Sequence, residues 1–129
     1  MSNAAAKVEA RTISTEELSE RIAAGERFEF WNVLTAEYYT GELIARSRYV
    51  PLDRIGREVI GSKIPKDAEI VVYCAGPECP QSAAAAEKLT TLGYTRVKAY
   101  EGGLEEWKAA GHKTVTAGAE ERAAASCAC

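Results

Sequence analysis

Cysteine supplies the most reactive side chains in this sequence. Cys74 and Cys79 lie five positions apart in one segment, and Cys127 and Cys129 lie together at the end of the chain. Four cysteines placed so unevenly do not resemble the disulfide framework of a small secreted domain. We therefore interpret them as chemical groups, and the chemistry open to them is that of a nucleophilic thiolate.

Cys74 lies at a predicted junction between a strand and a helix. The apolar run 70–73 predicts a central parallel strand, and the alanine-rich stretch 81–92 predicts a helix that ends at Gly93. The carboxyl end of a parallel strand is where ligands bind, and a helix start offers unpaired N–H groups that lower a thiol pKa and hold anions. A cysteine at a strand end can also be inert packing, and these residues alone leave both interpretations open.

Strand and helix patterns alternate along the rest of the chain. Ser14 and Glu17 form a capping box at the start of a first helix, which Gly25 ends. Further strands are predicted at 28–33, 49–50 and 97–100, a short helical turn at 35–39, and helices at 52–60 and 104–110. The alternation predicts an α/β domain with a mostly parallel central sheet. We place this domain at 11–115, between a flexible lead at 1–10 and a flexible tail at 116–129.

Composition and charge exclude several classes of function. The chain has 129 residues and a formal net charge of −3, which fits one domain and argues against nucleic acid or an anionic membrane as partner. No apolar run reaches transmembrane length, and the first residues lack a signal-peptide core, so we expect a cytoplasmic protein with reduced thiols. Cys127 and Cys129 have no nearby histidine to complete a metal site, and we interpret His112 as a solvated or capping residue. We therefore expect no metal and no cofactor.

Several short motifs occur in a fixed order along the chain. A strand ends in Cys74, a glycine-containing loop follows, and Ser82 and a run of alanines begin the next helix. Other motifs precede and follow this region: Phe30 to Val33, Val50-Pro51-Leu52, Leu89, Gly93-Tyr94, Tyr100-Glu101-Gly102-Gly103, Trp107 and Ala110-Gly111. Together, from Thr12 to Thr114, they resemble the rhodanese family of sulfurtransferases.

This resemblance implies a fold and a mechanism. The fold is a single domain whose parallel sheet has helices on both faces. The loop cysteine, here Cys74, takes sulfane sulfur from a small donor as a persulfide and passes it to a thiol acceptor, with a protein acceptor left open. The backbone N–H groups that would hold the anion belong to Ala75, Gly76, Glu78 and Cys79, because the prolines of the loop cannot donate, and Ser82 marks the helix start.

The loop after Cys74 departs from the usual family pattern. It is longer, contains no basic residue, and resembles a subgroup with a Cys-x-Gly-Pro-x-Cys loop. The missing positive charge disfavours thiosulfate, which is a dianion, and Glu78 would raise the pKa of the thiol if it pointed inward. The donor therefore stays open between thiosulfate and a persulfide.

Cys79 is a candidate resolving thiol. Its spacing from Cys74 allows a disulfide within the loop, and an unreactive, half-buried thiol is the alternative. One rival function is a thiol-dependent arsenate reductase or phosphatase-like enzyme, although that chemistry favours an arginine and 75–82 contains none. Another rival is a non-catalytic redox-sensing or binding domain that uses a Cys74–Cys79 disulfide.

Overall fold

Strands and helices alternate in a computed structural model, which describes residues 12–116. The strands are β1 (Glu29–Asn32), β2 (Glu42–Ile44), β3 (Arg48–Tyr49), β4 (Glu69–Tyr73), β5 (Arg96–Tyr100) and β6 (Thr114–Thr116). The helices are α1 (Thr15–Ala23), α2 (Ile55–Gly61), α3 (Gln81–Thr91) and α4 (Gly103–Ala109), and a 3-10 turn at Leu52–Arg54 precedes α2. The predicted α/β class is confirmed, whereas the lead at 1–10, Cys127 and Cys129 lie outside the described residues.

The central sheet is parallel and has the strand order β3-β1-β4-β5. Successive side chains of β4 point to opposite faces, so Ile70 and Val72 pack in one core cluster and Val71 and Tyr73 in the other. Helices α2 and α3 supply apolar side chains to the first cluster, and α1 and α4 supply them to the second. The sheet therefore has helices on both faces, as predicted, which explains why β4 is apolar along its length.

A second, antiparallel pair of strands was missed by the sequence analysis. β2 pairs with β6 so that Leu43 lies opposite Val115 and Glu42 lies opposite Thr116. The tail predicted from residue 116 onward therefore begins inside a strand. Each strand has three residues, which is too short for an alternating pattern to stand out. The Glu42 carboxylate accepts hydrogen bonds from the Thr114 hydroxyl at 2.6 Å and the Lys108 ammonium at 3.0 Å, so β2 is also joined to α4.

The predicted helix starts are found with small shifts. The Ser14 hydroxyl accepts the Glu17 N–H at 3.0 Å and caps α1, as its capping box predicts. The single helix predicted at 52–60 is instead a 3-10 turn that continues into α2. None of the helices in residues 12–116 is long and apolar enough to cross a membrane.

An ion cluster closes the end of the sheet opposite Cys74. Arg21 of α1 donates to both carboxylate oxygens of Glu69, at 2.6 and 2.5 Å, where β4 begins. Arg96 and Lys98 of β5 approach the same carboxylate at 3.6 and 3.5 Å. The hydrogen bonds from Arg21 are the main reason that the pKa of Glu69 lies below its usual range. This cluster fixes α1 against the amino ends of β4 and β5.

Candidate functional site

Cys74 directly follows β4 and is fully buried. Because side chains alternate along a strand, it points to the same face as Val72, which is the face covered by α3. Its thiol donates a hydrogen bond to the backbone oxygen of Cys79, at a distance of 3.3 Å between sulfur and oxygen. The loop 75–80 therefore folds back over the sulfur before α3 begins.

The first turn of α4 holds this loop from the other side. The N–H of Leu104 donates to the Cys74 oxygen at 3.1 Å, and the N–H of Glu105 donates to the Ala75 oxygen at 2.8 Å. Gly103 has a φ of +61°, and a Cβ there would clash with the Cys74 carbonyl and lie 2.8 Å from the Gly76 nitrogen. Only glycine fits such a close approach at a positive φ. This supporting role of Gly103 was not predicted, because it depends on the approach of α4 to a loop that is distant in sequence.

Cys79 lies beside Cys74 but is partly exposed. Its backbone oxygen accepts the hydrogen bond from the Cys74 thiol, and both cysteines are free thiols in this structure. Its backbone N–H donates to the Gly76 oxygen at 3.0 Å and closes a tight turn. That N–H, which we had predicted to belong to the anion cradle, therefore already has an acceptor inside the loop.

Ser82 is the buried polar residue nearest to the chemistry. It is the second residue of α3, it is 1% exposed, and its hydroxyl has no hydrogen-bond partner among residues 12–116. Its backbone N–H and its hydroxyl both face the Cys74 sulfur and act to lower the pKa of that thiol. The sequence analysis identified Ser82 only as a helix start, because its contact with Cys74 depends on how the loop folds.

Burial nevertheless raises the pKa of the Cys74 thiol above its ordinary value. The hydrogen bond with the Cys79 thiol also raises this pKa, and the two donors of Ser82 only partly oppose these effects. A helix start lowers the pKa of a nearby thiol, as predicted for α3, but the desolvation of a fully buried sulfur outweighs that effect here. At neutral pH the resting Cys74 side chain is therefore a protonated thiol.

A cavity of about 490 Å³ opens beside the loop. Cys79 faces this cavity, and Cys74 is not among the residues that line it. Two carboxylates and no cation belong to the lining, which consists of Leu34, Tyr38, Ala75, Gly76, Glu78, Cys79, Pro80, Gln81 and Glu105. A second cleft, of about 290 Å³, lies at Ile22 to Phe30 and has no cysteine in its lining, so it offers no comparable chemistry.

The wall of the cavity is fixed by a pair of hydrogen bonds between α3 and the segment after β1. Gln81 donates from its side-chain nitrogen to the Thr35 hydroxyl, and its side-chain oxygen accepts the Thr35 N–H, both at 3.0 Å.

His112 packs its ring against Trp107, with 4.4 Å between ring centroids, and does not line the cavity. No group of three or more potential metal ligands occurs within the described residues.

The comparisons with known proteins agree with this geometry. A family model described as Rhodanese-like domain matches residues 14–110. The BH2092 protein from Bacillus halodurans is 28% identical, with a TM-score of 0.75, over 89% of this chain and 83% of that one. The rhodanese-like domain of the Alr3790 protein from Anabaena is 28% identical, with a TM-score of 0.71, over 82% and 79%.

A human protein shares the fold at lower identity. It is named single-domain sulfurtransferase TSTD1, is 24% identical, and has a TM-score of 0.62 over 76% of this chain and 95% of its own. No curated protein sequence matches the chain.

Proposed function

The chain belongs to the rhodanese-like domain family, and from this premise we propose that it is a sulfurtransferase in which Cys74 carries sulfane sulfur as a persulfide. The observation that supports this most directly is the Cys74 sulfur at the end of β4, faced by the N–H and hydroxyl of Ser82. Two donors aimed at one buried sulfur are suited to an anion that forms there during a reaction. The name of the human single-domain sulfurtransferase is consistent with this class of reaction.

The proposed cycle has two sulfur exchanges. In the first, the sulfane sulfur of a donor R–S–SH is transferred to Cys74, so that the donor S–S bond breaks, a new S–S bond forms on Cys74, and RSH is released. In the second, an acceptor thiolate attacks the outer sulfur, the Cys74 S–S bond breaks, and the acceptor leaves as a persulfide. The sulfane sulfur keeps its oxidation state throughout, so the cycle needs no external oxidant or reductant.

Charge around the cavity favours one class of donor. Glu78 and Glu105 line it and no lysine or arginine does, so a dianion such as thiosulfate meets repulsion without a compensating cation. We therefore propose a low-molecular-weight persulfide or polysulfide as donor and a thiol, small or on a protein, as acceptor. A reducing compartment such as the cytoplasm would keep Cys74 and Cys79 in the thiol form that this cycle requires.

Intact-protein mass spectrometry tests the proposal. Native protein and Cys74→Ser protein are incubated separately with thiosulfate and with cysteine persulfide, and the mass is recorded before and after addition of dithiothreitol. We expect native protein to gain one reducible sulfur from the persulfide and little from thiosulfate, and Cys74→Ser to retain none. Native protein that gains no sulfur from either donor would contradict a carrier role for Cys74.

A redox-sensing function is the second candidate, because two free cysteines lie in one loop and the Cys74 thiol contacts the Cys79 backbone oxygen. A sensor would lose two hydrogens on mild oxidation, regain them with a dithiol, and show no turnover with any sulfur donor. The phosphatase-like and arsenate-reducing alternatives have less support, since the cavity lining has no arginine to bind an oxyanion.

A further inference from the structure

The two cysteines of the loop differ in their access to the cavity. Cys74 is 0% exposed and lies behind the loop, whereas Cys79 is partly exposed and lines the cavity. A sulfur donor that enters the cavity therefore meets the Cys79 thiol before it can approach the Cys74 sulfur. Since thiol exchange requires attack along the line of the S–S bond, access decides which thiol reacts first.

The same two residues are in contact with each other. The Cys74 thiol donates to the Cys79 backbone oxygen at 3.3 Å, so the turn brings Cys79 directly against the Cys74 sulfur. The backbone that holds them is fixed at both sides, by the Cys79 N–H on the Gly76 oxygen and by the Leu104 N–H on the Cys74 oxygen. The backbone therefore keeps the two cysteines side by side, which is the arrangement that exchange of sulfur between them requires.

Anion stabilisation is unequal at the two sulfurs. The buried hydroxyl of Ser82 has no partner among the described residues, and this hydroxyl and the Ser82 N–H act to lower the pKa of Cys74, while the backbone N–H of Cys79 is already bonded to the Gly76 oxygen. A persulfide anion on Cys74 gains two donors and is shielded from water, whereas one on Cys79 lies at the open cavity. The resting place of the sulfane sulfur is therefore Cys74, and the point of exchange with solvent is Cys79.

We propose that Cys79 is a relay thiol, which receives sulfane sulfur from the donor, passes it to Cys74 for storage, and returns it to the acceptor. This inference rests on the proposed sulfurtransferase function and assigns a second catalytic residue to it. It differs from a resolving role, in which Cys79 would form a disulfide with Cys74.

Each relay step is a balanced exchange. In loading, the Cys79 thiolate attacks the terminal sulfur of R–S–SH, the S–S bond of the donor breaks, and the thiolate of R leaves. Cys79–S–SH then reacts with Cys74–SH to give Cys74–S–SH and Cys79–SH, so one S–S bond breaks, one forms, and the proton of Cys74 ends on Cys79. The competing resolving reaction, Cys74–S–SH with Cys79–SH, gives a Cys74–Cys79 disulfide and H2S and requires a dithiol to reset the protein.

Rapid-quench mass spectrometry with cysteine persulfide as the donor separates these possibilities. Full-length native, Cys79→Ser and Cys74→Ser proteins are mixed with the donor, blocked with an alkylating reagent at successive times, and digested with trypsin. Fragmentation of the peptide 67–88 assigns the added sulfur to Cys74 or to Cys79. The Cys127→Ser/Cys129→Ser double variant is the control, because it removes two thiols without altering the loop, and thermal melting checks that each variant folds.

The relay predicts an order of labelling. In native protein the sulfur appears first on Cys79 and then on Cys74, and in Cys74→Ser it appears on Cys79 only transiently and is lost again, so that this variant retains none after a long incubation. In Cys79→Ser, Cys74 still gains sulfur but does so about tenfold more slowly or worse, because the accessible thiol is missing. The control double variant loads Cys74 at the native rate.

Three results would overturn the relay. Cys79→Ser that loads and unloads Cys74 at the native rate would show that Cys74 exchanges directly. A Cys74–Cys79 disulfide with release of H2S during turnover would show that Cys79 resolves instead of relaying. A native protein with no sulfur on either cysteine would reject the sulfurtransferase proposal itself, which distinguishes that failure from the failure of the relay.

Discussion

The Ser82 hydroxyl is buried and has no hydrogen-bond partner among residues 12–116. Such a group normally costs folding free energy, on the order of 1–3 kcal/mol. The same hydroxyl faces the Cys74 sulfur and lowers the pKa of its thiol. We therefore expect this hydroxyl to stabilise negative charge on the sulfur during the reaction, in return for its cost in the resting fold.

Ser82→Ala should separate these two effects. Removal of the unpaired hydroxyl leaves the free energy of unfolding unchanged or raises it by about 1 kcal/mol. The pKa of Cys74 rises further because one donor to the thiolate is lost, so the reactive fraction at neutral pH falls and the rise of rate with pH moves to higher pH. Urea unfolding measures the predicted change in stability, and the pH dependence of persulfide loading measures the predicted change in the Cys74 pKa. A Ser82→Ala protein that is less stable than the native protein and loads sulfur at the native rate would contradict the role assigned to the Ser82 hydroxyl.

Replacement of Glu105 tests whether negative charge in the cavity selects against an anionic sulfur donor. Its side chain lines the cavity and lies against Gly76, so Glu105→Gln removes one of two repelling carboxylates. We expect loading by thiosulfate to rise about threefold at low salt, with loading by cysteine persulfide changed less. Glu101→Gln makes the same charge change at an exposed position outside the cavity lining and serves as the control. Equal effects of both variants would mean that only net charge matters.

For individual residues, the sequence predicted the features that depend on neighbouring positions in the chain and missed those that depend on contacts between distant positions. Cys74 was identifiable because an apolar strand, a loop and a helix start surround it in sequence. Its raised pKa was not, since burial of the sulfur results from the way 75–80 folds back over it. The different access of Cys74 and Cys79 to the cavity has the same origin.

At the scale of elements, the reactive loop is held between two helices. The first N–H groups of α4 bond to the oxygens of Cys74 and Ala75, so the start of α4 supports the loop from the side opposite α3. The apolar run of β4 predicted the parallel sheet well, because a strand buried on both faces needs such a run. The short pair β2 and β6 was not predicted, since three residues carry no clear period.

Gly103→Ala tests the contact between α4 and the loop. A positive φ and the clash with the Cys74 carbonyl should lower the free energy of unfolding by about 2 kcal/mol or more, and loading of Cys74 should slow in the molecules that remain folded. Gly56→Ala is a matched control, because Gly56 lies in α2 with an open surrounding and the substitution should stabilise by about 0.5–1 kcal/mol. Denaturant unfolding measures both, and equal effects would contradict the special role of Gly103.

At the scale of the whole molecule, the charged cluster and the reactive loop lie at opposite ends of β4. Glu69 begins the strand and contacts Arg21, Arg96 and Lys98, whereas Cys74 follows its last residue. Stability and chemistry are therefore assigned to different ends of the same strand. The sequence predicted the charges but not their partners, because Arg21 and Glu69 are 48 positions apart.

Arg21→Gln should change the acid stability of the protein and leave sulfur loading at the native rate. The pKa of Glu69 is lowered by Arg21, so this pair stabilises the fold above the ordinary range of the carboxyl pKa, and the contribution is lost as pH falls through the depressed value. We expect Arg21→Gln to lower the free energy of unfolding by about 1–2 kcal/mol at pH 7 and by less near pH 3. Urea unfolding at both values measures it, and an equal loss at both would show that packing, not charge, is responsible.

The burial of Cys74 has a consequence for how such a protein is found in chemical surveys. Reagents that tag reactive cysteines in cell extracts report the thiols that they can reach. A sulfur that is 0% exposed and protonated at rest will escape them, and the tag will fall on Cys79 instead. A ranking of cysteines by labelling intensity would therefore miss the residue on which the sulfur is stored, and inhibitors selected in this way would block the entrance to the site and leave Cys74 unmodified.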